Sequence, residues 1–248
     1  MIVHTEHIDL PAGKSAIRCF SARPQAPGRY PGIVFFSDIF QLTGPMLRAC
    51  VRLAGHGFTV LAPEIYRRSE PPGSVIPFDD AGRTRGMAGA ERTLVAHFDE
   101  DCRIVLDHLA SHPSVAAGQL GAAGFCLGGH LAFRAALQPD VKATACFYPT
   151  GVHSGKLGLD SDAGTLQRFA EIRGRLLLVW GENDPHIPEA GRRTIESALH
   201  ASGTAFEQRL YPAEHAFMRD EGPRFDPEAT DAAYAASIRF FREAFTQA

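Results

Sequence analysis

Apolar positions along the chain alternate between two rhythms. Short, nearly continuous apolar runs at residues 32–36 (GIVFF), 58–62 (FTVLA), 142–148 (KATACFY) and 175–180 (RLLLVW) are bounded by glycine, proline and polar residues. Such runs predict central strands buried on both faces. Between them, apolar residues recur three and four apart, the spacing of a helix with one buried face. Residues 46–54 form one such stretch, stopping at Gly55-His56-Gly57, and residues 97–111 another, with Phe98, Cys102, Val105, Leu106 and Leu109 on one stripe. Residues 127–137 are apolar on most sides, 165–172 suggest a short helix, 189–201 a longer one, and Tyr234, Ile238, Phe241 and Phe245 mark a closing helix. Residues 206–211 read as a further strand. The start of the chain differs: Ile8-Asp9-Leu10, the turn Pro11-Ala12-Gly13 and residues 15–20 alternate as a hairpin does. Residues 63–96 show no clear rhythm, hold Arg83, Arg85 and Arg92, and predict a long irregular loop of the kind that serves function.

Strands alternating with helices predict an α/β fold, a doubly wound, mostly parallel sheet with helices on both faces, in one domain over residues 1–248. An apolar fraction of 45% supplies a sizeable core. Lys plus Arg number 25 against 28 Asp plus Glu, a net charge of −3 with no basic tract, which gives nucleic-acid or anionic-membrane binding no support. No run approaches the ~20 apolar residues of a membrane span, and the N-terminus lacks a signal-peptide pattern. A cytoplasmic protein is expected. The five cysteines are odd in number, scattered and without C-x-x-C, so Cys19, Cys50, Cys102 and Cys146 are expected as core thiols.

The fifth is different. Residues 119–123 run straight into Gly124-Phe125-Cys126-Leu127-Gly128-Gly129, and a helix follows, so that one thiol sits at the tip of a strand-turn-helix beside the helix's positive end. In a parallel sheet ligands bind at the carboxyl ends of strands. Asp184 follows the 175–180 strand and His215 follows the 206–211 strand, giving the order nucleophile, acid, histidine. A histidine within reach is the natural activator of a thiol, and an acid fixes the imidazole's tautomer. His153, His186 and Glu214 also lie at strand ends and are expected as loop residues or supporting partners. No H-x-H or H-E-x-x-H spacing calls for a metal, and no cofactor is expected.

With these motifs the chain resembles the dienelactone hydrolase family of α/β-hydrolases over nearly its whole length. The resemblance rests on Gly124-Phe125-Cys126-Leu127-Gly128-Gly129, on Gly181-x-x-Asp184-x-x-x-Pro188, on His215-Ala216-Phe217-Met218-Arg219 and on Asp38-Ile39-Phe40. It implies an oxyanion hole from the N–H groups of Ile39 and Leu127. It places Asp38 where the family has a glutamate near the thiol, and Arg219 as one of two arginines gripping a substrate carboxylate, the other being Arg83 or Arg85. The chain departs from the family pattern in the shorter Asp38, in Ser37, and in Phe147-Tyr148-Pro149-Thr150-Gly151, where Tyr148 is a further substrate-binding candidate.

The expected function is hydrolysis of a small ester or lactone through an acyl-enzyme on Cys126, by a monomer or homodimer. Two alternatives stand beside it. One is a general carboxylesterase or thioesterase, the other a non-catalytic thiol protein that senses redox state or binds a ligand on the same fold.

Overall fold

A computed structural model describes residues 1–246. Strands β1 (Val3–Ala12) and β2 (Ser15–Pro24) form the expected hairpin, with Leu10 opposite Ile17. The chain continues through β3 (Tyr30–Phe36), α1 (Gly44–Gly55), β4 (Thr59–Pro63), α2 (Asp80–Glu91), α3 (Val95–Ser111), β5 (Val115–Phe125), α4 (Leu127–Ala136) and β6 (Val141–Phe147). It ends with β7 (Arg175–Gly181), α5 (Glu189–Ser202), β8 (Phe206–Tyr211) and α6 (Pro227–Thr246). All eight strands join one sheet in the order β1-β2-β4-β3-β5-β6-β7-β8. The β1–β2 and β2–β4 pairs are antiparallel and every later pair is parallel, so the sheet is doubly wound and mostly parallel as its apolar strands imply.

Helices cover both faces. On one, α1 and α6 lie together, with the Arg52 guanidinium 4.3 Å from the Tyr234 ring centre, and Phe241 and Phe245 of α6 pack on Phe58. On the other, α4 is tied to α3 by the Arg134–Asp99 ion pair, and Phe133 stacks on Phe169. Among the described residues no helix is long and apolar enough to cross a membrane.

One expectation needs correction: the irregular 63–96 stretch contains a three-turn helix, α2. The short helix expected at 165–172 is present as a 3-10 helix over Leu166–Glu171. Helix α2 carries Gly82, Gly86 and Gly89, which weaken both helix propensity and the apolar rhythm. They are there for contact. A methyl on Gly86 would meet the Ile39 carbonyl, and one on Gly89 would sit 3.1 Å from the Tyr66 ring. Its one legible signal was Asp79, whose carboxylate caps the helix by accepting from Gly82 N–H at 2.7 Å.

Candidate active site

The turn between β5 and α4 is built by close approach. A methyl on Gly124 would collide with the Gly128 carbonyl, one on Gly128 with the backbone of Phe36 and Ser37, and one on Gly129 would lie 2.8 Å from Pro149 Cα. Only glycine lets strand, turn and helix converge so closely. Cys126 at the tip has φ 57° and ψ −118°, a conformation that L-residues seldom adopt and that costs on the order of 1–3 kcal/mol. Its peptide groups are held there from outside: Cys126 N–H donates to Phe147 O and Thr150 N–H donates to Cys126 O, both at 3.1 Å. The thiol is half-buried, whereas Cys19, Cys50, Cys102 and Cys146 are buried and burial pushes their thiols well up. That separates one accessible sulfur from four inert ones.

His215 Nδ1 lies 2.6 Å from Asp184 Oδ2, and the Cys126 sulfur is near enough to act on the ring. The second Asp184 oxygen accepts from His186 N–H at 2.8 Å. Burial pulls the His215 imidazolium down, but negative charge on the facing sulfur and the hydrogen bonds to Asp184 and Cys126 outweigh it, raising the imidazole to about 10. The ring is boxed by Tyr148, edge-on at 5.2 Å between centres, and by His186 at 4.7 Å. Burial keeps His186 itself low, with the His215, Arg224 and Arg83 charges adding to the effect.

The other predicted residues divide. Asp38, Ile39, Leu127, Arg83 and Arg219 line one open cleft of about 1040 Å³ together with Cys126 and His215. Leu127 opens α4, so its N–H is among the first-turn amides that lack a partner within the helix. Arg219, however, is occupied. It donates to Asp38 Oδ2 at 2.7 Å and lies over the rings of Phe40 and Phe78, 5.0 and 4.2 Å from their centres. Burial raises the Asp38 carboxyl, and the Arg219 charge and the Phe40 N–H only partly offset this. Arg85 pairs with Glu70 and does not line the cleft, so the choice between Arg83 and Arg85 falls to Arg83, which makes no ion pair among the described residues. Tyr148 does not line it either: stacked on Phe125 behind His215, it is buried support.

Sequence reasoning did not single out Thr150 or His130. Thr150 Oγ1 sits 3.8 Å from the Cys126 sulfur. His130 is fully buried and joins Thr150 O at 3.1 Å to Thr165 Oγ1 at 2.8 Å, and burial, with the Arg134 charge, lowers it to about 3. A histidine one turn beyond Cys126 carried the only signal, ambiguous among eleven. Among the described residues no group of three or more His, Cys, Asp or Glu side chains is arranged to hold a metal ion.

Comparison with known proteins shows the family to which the chain belongs. Residues 17–245 match the model of the dienelactone hydrolase family. A Saccharomyces cerevisiae protein named "Putative carboxymethylenebutenolidase" is 34% identical, covering 94% of this chain and 88% of its own. The "Carboxymethylenebutenolidase" of Pseudomonas sp. strain P51 is 28% identical over 90% of each chain. The crystal structure of a "Putative Dienelactone Hydrolase" from Klebsiella pneumoniae superposes with a TM-score of 0.84 at 24% identity, covering 98% of this chain and all of that one. With the strand-end thiol, the doubly wound sheet and a family match spanning nearly the whole chain, this protein belongs to the dienelactone hydrolase family and is a carboxylic ester hydrolase acting on lactones or esters.

Proposed function

We propose that Cys126, His215 and Asp184 act as nucleophile, base and orienting acid, and that hydrolysis passes through an acyl-enzyme on Cys126. The Cys126 thiolate attacks the substrate carbonyl carbon, forming a C–S bond while the carbonyl electron pair moves onto oxygen. The N–H groups of Ile39 and Leu127 receive that oxyanion. Collapse re-forms the carbonyl and breaks the C–O bond, and the His215 imidazolium gives its proton to the leaving alkoxide, which in a lactone stays tethered. A water then loses a proton to His215 and attacks the thioester. The C–S bond breaks, the acid is released and the thiolate returns. Asp184 holds one tautomer throughout, since its bond to Nδ1 leaves the other nitrogen free to exchange the proton.

The observation that carries this reading is the single accessible thiol, fixed at a strained turn and facing an Asp-held imidazole. An anionic group on the substrate would meet Arg83, because Asp38 already matches the charge of Arg219. The unbroken sheet from β1 to β8 supports one domain. The test is a stopped-flow assay with a chromophoric ester. The wild type should release a burst of alcohol equal to one equivalent of enzyme, and Cys126→Ala should show neither burst nor turnover while keeping its circular dichroism. Turnover by Cys126→Ala would refute the acyl-enzyme.

A further inference from the structure

The cleft is larger than a small lactone needs. At about 1040 Å³ it stands at the upper end of the roughly 300–1,000 Å³ typical of sites for drug-sized ligands. Its long wall is α2, the helix whose glycine face leans on Ile39 and Tyr66. Because Gly82, Gly86 and Gly89 occupy that face, another faces the cleft: Arg83, Met87, Ala90 and Glu91, at helical spacing i, i+4, i+7 and i+8, all line it. From Arg83 to Glu91 this wall runs about 12 Å at ~1.5 Å per residue. Arg83 lies close enough for its charge to act on His186, whose ring packs on His215. Met87 and Ala90 follow it one and two turns along the helix.

Two large apolar side chains stand open in this cleft. Phe78 is 46% and Met87 45% exposed, although the fold has a core in which most side chains of that kind are fully covered. Phe78 is braced from behind by Phe40, edge-on at 4.9 Å, and by the Arg219 guanidinium. Leu157 adds a buried apolar wall on the other side. Exposed apolar surface concentrated in one concave site marks what the ligand covers.

We infer that the natural substrate is an ester with an elongated apolar portion, alkyl or aromatic, which lies along α2 over Met87 and Phe78. This rests on the ester-hydrolase reading of the same site, and it replaces a compact lactone with a longer molecule.

Binding and turnover are measured separately, so that the two readings fail separately. In the first arm, Cys126→Ala, which cannot form the acyl-enzyme, is titrated calorimetrically with methyl esters of acyl chains from two to eight carbons and with acetate esters of alcohols of the same lengths. Affinity should rise along one of the two series by about two- to fourfold per methylene, fourfold being full burial of each, with an increasingly negative heat-capacity change. Introducing Met87→Asp into the same protein should cut the ratio of longest-chain to shortest-chain affinity at least tenfold. Flat affinity along both series, or an unchanged ratio with Met87→Asp, overturns the inference. In the second arm the wild type is assayed on the same esters, and kcat/KM should follow the binding series. Affinity that rises while no ester is hydrolysed would leave the apolar subsite standing and refute the ester-hydrolase reading instead.

Discussion

Gly86→Ala should impair catalysis without touching Cys126, His215 or Asp184. In α2 the change is favourable by itself, since alanine exceeds glycine in helix propensity by about 1 kcal/mol. The opposing effect is steric. The new methyl would collide with the Ile39 carbonyl oxygen, far inside the 3.4 Å at which ordinary contact begins, so α2 and the Ile39 loop must part by about 1 Å. Overpacking of this kind costs about 1–3 kcal/mol, which leaves a net destabilisation of roughly 0–2 kcal/mol and a Tm lower by less than about 8 °C. The Ile39 loop also carries a proposed oxyanion donor. A displacement of 1 Å at a reacting centre costs about a hundredfold, so a shift of this size should lower kcat by about ten- to a hundredfold with little change in KM. Gly89→Ala is the comparison: same helix, same propensity gain, but its methyl meets at 3.1 Å the buried Tyr66 ring, on which the Cys126 and Asp38 charges act, instead of the Ile39 carbonyl. Initial rates on a chromophoric ester and thermal melts of both variants decide it. Wild-type kcat in Gly86→Ala would refute a contact between α2 and the Ile39 loop as a determinant of catalysis.

Arg219→Met should destabilise the protein by about 3 kcal/mol in urea unfolding, because it leaves the Asp38 carboxylate buried without its cation. A combined Asp38→Asn, Arg219→Met variant should recover much of that loss, and failure to recover would show that the pairing is not what the arginine supplies. The His215 imidazole, raised from 6.5 to about 10, contributes stability that is fully present below pH 6.5 and is lost as pH rises through about 10. NMR titration should find the wild-type ring still protonated at pH 8, and a lower titration midpoint in Cys126→Ala, which removes the sulfur's charge. His130, lowered to about 3, acts in the opposite sense: stability should fall as pH drops below 6.5 towards 3, by up to about 1.4 kcal/mol per unit from this one group. His130→Gln should flatten that slope between pH 6 and 4, as read by urea midpoints, and an unchanged slope would assign it to other groups.

The strands, most helices and the order of Cys126, Asp184 and His215 were legible because each depends on local pattern. Buried parallel strands must be apolar on both faces, and a strand-to-helix turn as tight as the one at Gly124 admits glycine at its close approaches and little else. Ligand-binding residues at the carboxyl ends of such strands follow from the topology itself.

What remained hidden depends on partners far away in the chain. Helix α2 was invisible because its glycines answer to Ile39 and Tyr66, dozens of residues earlier, at the expense of the periodicity that announces a helix. Whether Arg219 is open to substrate or committed to Asp38 is settled across a separation of 181 residues, and Arg85 is drawn from the cleft by Glu70. Tyr148 was read as a substrate contact, yet stacking on Phe125 turns it behind His215. Sequence patterning thus determined the fold class and the strand ends from which the reactive groups project, since burial and backbone geometry act over a few neighbouring residues. Only the tertiary structure decided which charges are already paired and how long the cleft is, because ion pairs and cavity walls form between segments whose spacing in sequence carries no trace of their meeting.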